Sequence, residues 1–555
     1  MIHRIARFQL PIAAALAAIV VCAGLIWSTN VAAGADAYGY VSQADLWLRG
    51  DLHIDQSFGA SVPWPLARWT FTPLGYRPEP DGYRIVPQYS PGLPLLMAAF
   101  KATAGQCAMF WVVPLCGGIL VFATYTIGRR IGRPLVGLAA SWIVATSPTV
   151  LFMLMAPMSD VPAAAAWAVS IACAIGESPL TAVAAGAAAA IAILIRPNLS
   201  PIALAIVVWI AWRHVGAHRE LVGGQHDGRD EGRHYRRAAW FLLPTAAGVV
   251  AVAVINSRLY GSPFASGYDL TDGYKLSYVL PNLRRYGWWL LSAETPLALA
   301  GFAALAIPSS RIWRTRVSRD ALFLFGGPAT VVWISYLLFV PWDAWWYLRF
   351  LLPAWPPMAI GTASLIAAGY RTSPAGVRPV AILVLAAVGA SGIWQAIRRD
   401  AFEVARGEAK YVEVARAVES ITDRDAVIIA AQHSGSIRYY AGRLTLRWDV
   451  GDPAWLDRTV DWLAAHGHHP YFVLEPQEVA DLRARSGPTN VSARLDWAPM
   501  VSFRGGAITM YDGVRRDRDG TTVAQLAARI SRECVAQRPA PVLRLASGSS
   551  SEMQR

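Results

Sequence analysis

Long apolar runs separated by short polar segments make up most of the chain from its start to about residue 400. The first run extends from about Leu10 to Trp27 and follows three basic residues, His3, Arg4 and Arg7. The later runs lie near 108–128, 134–155, 161–176, 179–195, 199–212, 238–256, 294–308, 320–340, 350–369 and 378–397. Because a helix needs about 20 apolar residues to cross the hydrocarbon core, this pattern predicts a polytopic α-helical membrane protein with about 11 spans.

The first run is open to two interpretations. It could be a signal peptide, since residues 31–37 contain small-residue cleavage sites. We favour an uncleaved first helix, because the run is long for the apolar part of a signal peptide and many more apolar runs follow.

Short basic loops between the runs predict the orientation of the chain. If the spans are as drawn, all of these loops fall on one side of the membrane: 129–133, 213–237, 311–319 and 371–378. The positive-inside rule places this side, with the N-terminus, in the cytoplasm. The extracytoplasmic side then receives the loop of about 30–106, the shorter loops around 158–160, 257–293 and 341–347, and the segment after about residue 398.

The C-terminal segment alternates buried-type strands with helical patterns. We predict strands at Ala426–Ala431, Arg443–Trp448 and Tyr471–Leu474, and helices at Ser434–Tyr440 and Ala454–His466. This alternation is typical of a small α/β domain. The predicted organisation is a transmembrane domain over 1–400 with its first outer loop at about 30–106, an extracytoplasmic soluble α/β domain over 401–515, and a flexible tail over 516–555.

Composition agrees with a membrane protein. Of the 555 residues, 55% are hydrophobic and 16% are charged, whereas a soluble globular protein has about 45–50% apolar and about 25% charged residues. The net charge of +13 comes with arginines clustered between apolar runs, so it does not point to a nucleic-acid partner. The cysteines show neither metal-site nor disulfide spacing, and we interpret them as small apolar side chains: Cys22, Cys107, Cys116, Cys173 and Cys534.

Two acidic residues lie at predicted outer ends of helices. Asp36 follows the first span, and Asp160 stands at the start of a later one, just before Pro162. The simplest interpretation is a solvated acid for Asp36 and a helix N-cap for Asp160. Alternatively, a partly desolvated carboxylate has a raised pKa that suits general base catalysis, and two carboxylates on one face suit a metal or an acid/base site.

Arginines and aromatic residues accompany these acids on the same side. Arg196 ends one span and Arg349 precedes another. Each abuts an apolar run, where a charge is costly, so we expect a partner such as an anionic phosphate; the alternative is snorkelling to the headgroups. Trp346 and Tyr347 belong to an aromatic cluster that is either an interfacial belt or a platform for a sugar ring.

Short motifs surround these residues in a fixed order: Asp36-Ala-Tyr38, Gln88-Tyr-Ser-Pro-Gly-Leu-Pro94, Ser159-Asp-Val-Pro162, Arg196-Pro-Asn198, Asn256-Ser-Arg-Leu-Tyr-Gly-Ser-Pro263 and Arg349-Phe-Leu-Leu-Pro-Ala-Trp-Pro356. Together they cover about residues 1–400. In this order and on one predicted face, they resemble bacterial membrane glycosyltransferases of the GT-C fold, the broad family of dolichyl-phosphate-mannose protein mannosyltransferases and aminoarabinose lipid A transferases.

The resemblance implies transfer of a sugar from a polyprenyl phosphate in the inner membrane to a hydroxyl of an extracytoplasmic glycan, lipid or protein. Asp36 matches the catalytic acid of the first outer loop, and Asp160 matches the second acid motif. Many relatives have two adjacent acids where this chain has Asp36-Ala37, so a divalent cation as cofactor stays open. The candidate substrate-binding residues, taken from the motifs and the aromatic cluster, are Tyr38, Tyr89, Arg196, Arg349, Trp346 and Tyr347.

Two other classes of function remain as alternatives. A transporter or flippase of lipid-linked sugars would also place arginines near a phosphate, but it is expected to show paired halves and broken helices near the midplane, and neither is visible in the sequence. A membrane-anchored binding protein would act through its C-terminal domain. His433 and Ser434 suggest a hydrolase, yet no nucleophile-elbow pattern surrounds them.

Overall fold

The computed structural model of the chain describes residues 2–131, 133–220, 229–268, 270–313, 316–515 and 534–538. Arg314, residues 221–228 of the predicted basic loop, and residues 516–533 and 539–555 of the predicted tail lie outside the described residues. Helices dominate the first 400 residues: α1 Ile2–Trp27, α2 Asp36–Arg49, α3 Ala67–Thr70, α4 Gly92–Ala104, α5 Val112–Ile131, α6 Pro134–Ala145, α7 Pro148–Leu154, α8 Asp160–Ala174, α9 Pro179–Ile195, α10 Pro201–Glu220, α11 Arg229–Tyr260, α12 Leu270–Gly273, α13 Val279–Trp289, α14 Pro296–Leu305, α15 Arg316–Leu337, α16 Trp355–Thr372 and α17 Arg378–Arg398.

Several of these helices are long and apolar enough to cross a membrane. Within the described residues there are five such stretches, Phe8–Trp27, Gln106–Ile131, Tyr235–Tyr260, Trp345–Thr372 and Arg378–Arg398. A sixth span results if α6 and α7, which are bent by 57°, count as one. Other apolar helices, such as α8 and α9, have only 15 and 17 residues, fewer than the roughly 20 needed for an upright span. The count of about 11 spans therefore stays a prediction.

Proline and a capping hydroxyl determine where three helices begin. Helices α7, α9 and α14 each start with a proline, whose missing N–H is not needed in the first turn. The preceding side chain accepts a backbone N–H of that turn: Ser147 from Val150, Ser178 from Thr181 and Thr295 from Leu297. The first of these starts creates the bend between α6 and α7, a broken helix that the sequence pattern did not reveal.

Glycines allow the helices of the bundle to approach closely. A Cβ on Gly361 would lie 2.2 Å from the carbonyl oxygen of Gly301, so α14 and α16 touch backbone to backbone. A Cβ on Gly186 of α9 would likewise lie 2.1 Å from the carbonyl oxygen of Phe241 in α11. These contacts are the small-residue packing expected of a membrane helix bundle.

The segment predicted as the first outer loop, about 30–106, is folded. It contains α2, α3, α4 and a three-stranded antiparallel sheet of β1 Ile54–Asp55, β2 Tyr76–Pro78 and β3 Arg84–Pro87, in the order β1-β3-β2. Strand β3 pairs Ile85 with Ile54 on one side and Pro87 with Tyr76 on the other. The sheet leads directly into the Gln88–Pro94 motif, which thereby reaches α2.

The C-terminal segment folds around a five-stranded sheet. Its helices are α18 Val404–Ile421, α19 Ser434–Ala441, α20 Leu456–Ala465, α21 Pro476–Ser486 and α22 Val491–Arg494, and its strands are β4 Val427–Ile429, β5 Leu444–Leu446, β6 Pro470–Leu474, β7 Val501–Phe503 and β8 Ile508–Asp512. The strand order is β5-β4-β6-β8-β7. Strand β4 is parallel to β5 and β6, whereas β8 is antiparallel to β6 and β7. Each of the predicted strands and helices overlaps one of these elements; β7 and β8 were not predicted.

A disulfide joins the 3-10 helix Gln106–Trp111, which precedes α5, to the C-terminal tail. The bond links Cys107 and Cys534, which are 427 residues apart in sequence and 5.3 Å apart between Cα atoms. The interpretation of these two cysteines as apolar fillers is therefore wrong. A pairing over this separation depends on the tertiary fold, and no sequence spacing signals it. Cys22, Cys116 and Cys173 are free.

Candidate active site

Asp36 is the first residue of α2 and is held by two polar partners. The Tyr89 hydroxyl donates a hydrogen bond to Asp36 Oδ1 at 2.6 Å, and Arg349 Nη2 lies 3.0 Å from Asp36 Oδ2. The Asp36 side chain is still 31% exposed. A carboxylate at the first turn of a helix also interacts favourably with the helix dipole. Asp36 is therefore oriented and accessible to a reacting group.

Asp160 is the first residue of α8 and is completely buried. Its Oδ1 lies 2.6 Å from Arg196 Nη2 and 3.9 Å from Arg349 Nε. Its Oδ2 has no hydrogen-bond partner among the described side chains and backbone. Because a buried carboxylate is costly unless it is paired, the two arginines compensate the burial of Asp160 and fix its position.

Arg196 lies just beyond the end of α9, where Pro197 prevents the helix from continuing. Its guanidinium donates to the Tyr336 hydroxyl at 2.7 Å and to Ser159 Oγ at 3.2 Å, besides pairing with Asp160. The Tyr40 hydroxyl in turn donates to Ser159 Oγ at 2.9 Å. These bonds hold Arg196 in one orientation.

Arg349 connects the two acids. It lies in a 3-10 segment, Trp345–Ala354, that leads into α16. Its guanidinium packs over the rings of Tyr347 and Phe350, with centroid distances of 5.1 and 5.3 Å. Asp36, Asp160, Arg196 and Arg349 thus form one continuous ionic network in which two carboxylates are balanced by two guanidinium groups.

A layer of tyrosines covers one side of this network. The ring centroids of Tyr40 and Tyr89 are 4.8 Å apart, and Tyr268 lies 6.0 Å from Tyr89. Position 39 must be glycine for this packing, since a Cβ there would lie 2.3 Å from the Tyr89 ring. Burial, together with the charge of Asp36, raises the pKa of Tyr89 well above its usual value, so its hydroxyl stays protonated and donates to Asp36.

The structure brings most of the predicted site residues together, but not all. Asp36, Asp160, Tyr89, Arg196 and Arg349 meet in the network, and Tyr347 packs under Arg349. Tyr38 has its described ring contacts elsewhere, whereas Trp346 has one contact with Tyr347, with ring centroids 6.3 Å apart, and one away from the network. The ring of Tyr38 packs against Tyr76 and Tyr439, at 5.6 and 6.4 Å, and the ring of Trp346 stacks on Phe152 at 6.1 Å.

Sequence reasoning missed four residues that complete the network: Tyr40, Ser159, Tyr268 and Tyr336. Tyr40 lies one helical turn after Asp36, a spacing that places both on one face of α2 and could have identified it. Ser159 precedes Asp160 directly. Tyr336 and Tyr268 come from distant segments, and no local pattern points to them.

The donor set does not form a resident metal site. No group of three or more His, Cys, Asp or Glu side chains suited to a metal ion occurs within the described parts of the chain. Asp36 and Asp160 both contact Arg349, so a positive guanidinium group already lies beside each of the two carboxylates. Hard divalent cations prefer sets of oxygen ligands without an intervening positive charge. The residues present therefore do not fit a divalent cation shared by the two acids.

The fold is similar to that of solved GT-C membrane glycosyltransferases, in agreement with the predicted fold. The chain is an integral membrane protein of this architecture. No family model matches it, and no curated protein sequence does either.

Similar solved structures include bacterial and archaeal proteins. One is ArnT from Cupriavidus metallidurans bound to undecaprenyl phosphate, with 14% identity and a TM-score of 0.51, covering 90% of this chain and 97% of that one. Another is the Archaeoglobus fulgidus oligosaccharyltransferase tethered to an acceptor peptide, with 13% identity and a TM-score of 0.54, covering 92% and 74%. The same archaeal enzyme, AglB, with an inhibitory peptide and a dolichol phosphate has 12% identity and a TM-score of 0.53, covering 92% and 75%. At these identities the likeness establishes the fold.

Proposed function

We propose that this protein is a glycosyltransferase that moves a sugar from a polyprenyl-phosphate donor to an extracytoplasmic hydroxyl acceptor. The observation that carries the proposal is the accessible carboxylate of Asp36, oriented by Tyr89 and Arg349 next to a second, buried acid–arginine pair. A lipid phosphate donor suits this fold, because similar structures contain undecaprenyl phosphate or dolichol phosphate. The acceptor class is a glycan, a lipid or a protein.

The reaction is a single displacement at the anomeric carbon. Asp36 takes the proton of the acceptor hydroxyl as the new bond from the acceptor oxygen to the anomeric carbon forms. The bond between that carbon and the phosphate oxygen breaks, and polyprenyl phosphate leaves with the electron pair. Arg349 is the guanidinium closest to Asp36. Its two parallel N–H donors match phosphate oxygens, so a donor phosphate competes with Asp36 for the guanidinium group of Arg349. When Arg349 moves toward the phosphate, it releases the Asp36 carboxylate, which can then accept the proton.

The disulfide supports an extracytoplasmic position for the site. Cys107 directly follows the predicted first outer loop, and Cys534 belongs to the C-terminal tail. Disulfides persist in oxidising compartments and are rare in the cytoplasm. Together with the basic loops on the opposite side, this bond favours an inner-membrane protein whose residues 1–400 form the catalytic transmembrane domain and whose residues 401–515 form an extracytoplasmic α/β domain.

A flippase or transporter of lipid-linked sugars is the second candidate, and the bend of 57° between α6 and α7 favours it. However, hydrogen bonds within the protein stabilise the bend. Glu294 Oε1 accepts hydrogen bonds from Ser147 Oγ at 2.8 Å, from Thr149 Oγ1 at 2.6 Å and from the Thr149 N–H at 3.1 Å. These bonds satisfy the interrupted helix from within the protein, so the bend has a structural role.

The test is transfer by the purified protein from a panel of polyprenyl-phosphate sugars to labelled acceptors. We expect one donor to be consumed and Asp36→Asn to abolish the transfer. Transfer that survives Asp36→Asn rules out Asp36 as the base. Movement of intact donor across proteoliposomes, without sugar transfer, supports the flippase instead.

A further inference from the structure

The turn that carries Asp36, residues 31–37, is in contact with the C-terminal segment. We propose that this segment, residues 404–512, positions Asp36, and that Tyr440, Tyr411 and Gly435 are the positioning residues. The inference rests on the proposed function, because it gives the C-terminal segment a role in the transfer that Asp36 carries out. According to this proposal, the C-terminal segment contributes to the active site and is not a separate binding module.

Tyr440 provides a hydrogen bond to the turn. Its hydroxyl accepts the backbone N–H of Ala32 at 2.7 Å, and both residues are buried. Ala32 lies at the start of the turn, four residues before Asp36. On the bundle side, the backbone N–H of Thr29 donates to the carbonyl oxygen of Met155 at 2.8 Å. The turn is therefore fixed once to the bundle and once to the C-terminal segment.

Gly435 lets the first turn of α19 pack against the residue that lies two positions after Asp36. A Cβ on Gly435 would lie only 2.2 Å from Tyr38 Cδ1. Burial raises the pKa of Tyr38 to about 12, so its ring packs here as a neutral group. This contact explains the place of Tyr38 in the Asp36 motif: its ring fits against the C-terminal segment and so helps to orient α2.

Tyr411 of α18 packs against the turn that carries Asp36. Its ring packs with Ala33 and Ala37 on both sides of Gly34, whose φ of +52° suits a glycine. Tyr411 in turn lies against the imidazole of His433, with ring centroids 4.6 Å apart.

His433 is held in place by an ionic pair of the same segment. Its Nε2 lies 3.2 Å from Glu475 Oε1, which also accepts a hydrogen bond from Lys410 Nζ at 2.6 Å. The surface on which the Asp36 turn rests is therefore made of buried, mutually fixed side chains. A misplacement of a reacting group by about 1 Å costs on the order of 100-fold in rate, so these contacts matter for turnover.

The test compares two neighbouring buried tyrosines of α19 in the full-length protein. Tyr440→Phe removes the bond to Ala32. Tyr439→Phe is the matched control, because it removes an equally buried bond, from the Tyr439 hydroxyl to Asp45 Oδ2 at 2.8 Å, in the second half of α2. We measure kcat and KM for the donor, and hydrogen exchange of the amides of residues 32–38.

For Tyr440→Phe we expect a fall in kcat of about tenfold or more with KM nearly unchanged, and faster exchange at residues 32–38. For Tyr439→Phe we expect neither change. Unchanged exchange at 32–38 in Tyr440→Phe, or faster exchange with an unchanged kcat, overturns the inference. If the wild-type protein transfers no sugar, the proposed function fails, whereas the exchange comparison still decides whether Tyr440 holds the turn.

Discussion

Arg349 Nη2 lies 3.0 Å from Asp36 Oδ2, although the two residues are 313 positions apart in sequence. The same guanidinium reaches Asp160 with its Nε, at 3.9 Å. One side chain therefore couples the accessible acid to the buried one. This relationship means that the charge of Asp36 and the position of the donor phosphate are linked through Arg349.

Replacing Arg349 with lysine keeps the positive charge but removes the planar fork, so the side chain cannot contact both acids and a phosphate in the same way. We expect Arg349→Lys to lower kcat/KM for the polyprenyl-phosphate donor by about 100-fold. Arg285→Lys is the control, since Arg285 pairs loosely with an exposed partner, Asp343, at 3.7 Å. A wild-type kcat/KM in Arg349→Lys would contradict the role given to the fork.

The two acids are expected to respond differently to neutralisation. Asp160→Asn leaves Arg196 buried without its carboxylate and should destabilise the fold by about 3–5 kcal/mol. Asp36→Asn removes a partly exposed pair and should cost no more than about 1 kcal/mol while abolishing transfer. Thermal unfolding in detergent, measured beside transfer, checks both. An equal loss of stability in the two variants would show that Asp36 is a structural acid as well.

Removal of divalent cations should leave the transfer rate unchanged, because Arg349 contacts both Asp36 and Asp160 and already places a positive charge beside each carboxylate. The measurement is transfer before and after dialysis against a chelator, with added Mg²⁺ or Mn²⁺ as the reverse experiment. A rate that falls on chelation and returns with one of these ions would show that donor oxygens complete a metal site that the protein alone does not form.

Much of the site could be predicted from local patterns. Arg196 and Arg349 stand out because a charge next to an apolar run is costly and demands a partner, and Asp36 and Asp160 stand out because they lie at predicted outer ends of helices within short motifs. The prediction that they share a membrane face used only loop charges and span counting. The sequence could not predict which acid pairs with which arginine, because Asp36 pairs with a residue more than three hundred positions away.

The parts that the sequence did not reveal depend on tertiary contact. Tyr38 looked like a substrate-binding residue because it follows Asp36 closely, but its ring packs against Gly435 of α19. The Cys107–Cys534 pair is invisible to spacing arguments for the same reason. Strands β7 and β8 interleave polar residues, Ser502 and Thr509, with apolar ones, so they lack the continuous apolar run that marks β4 and β6.

The disulfide should stabilise the fold in the intact protein. Cys107→Ser frees residues 534–538, whose Arg538 N–H donates to the carbonyl oxygen of Tyr439 at 2.9 Å. We expect a loss of about 2–5 kcal/mol, as is typical for a native disulfide, seen as a lower unfolding temperature. Cys116→Ser, which alters a free cysteine, is the control. If a reductant lowers the unfolding temperature of Cys107→Ser as much as that of the wild type, the bond is not the cause.

The contacts of His433, Glu475 and Lys410, which lie next to the turn that carries Asp36, should stabilise the fold less in acid. Burial alone would raise the pKa of Glu475, but the hydrogen bonds from His433 and Lys410 outweigh it and lower the pKa from 4.5 to about 2. A folded-state pKa below the unfolded value means that the carboxylate stabilises the fold fully above about pH 4.5. This contribution, at most about 3 kcal/mol, is lost as the pH falls toward 2.

Glu475→Gln should therefore lower the stability at pH 7 and flatten its pH dependence between about pH 4.5 and the acid limit of the measurement. Glu403→Gln, at an exposed position beside Arg406, should leave both unchanged. Unfolding followed from pH 7 to pH 3 gives the comparison.

Because Glu475 holds His433 and His433 supports Tyr411, the wild-type protein should also show faster amide exchange at residues 32–38 in this acid range. If the exchange rate at these residues follows only the intrinsic pH dependence of amides, Glu475 does not affect the turn that carries Asp36.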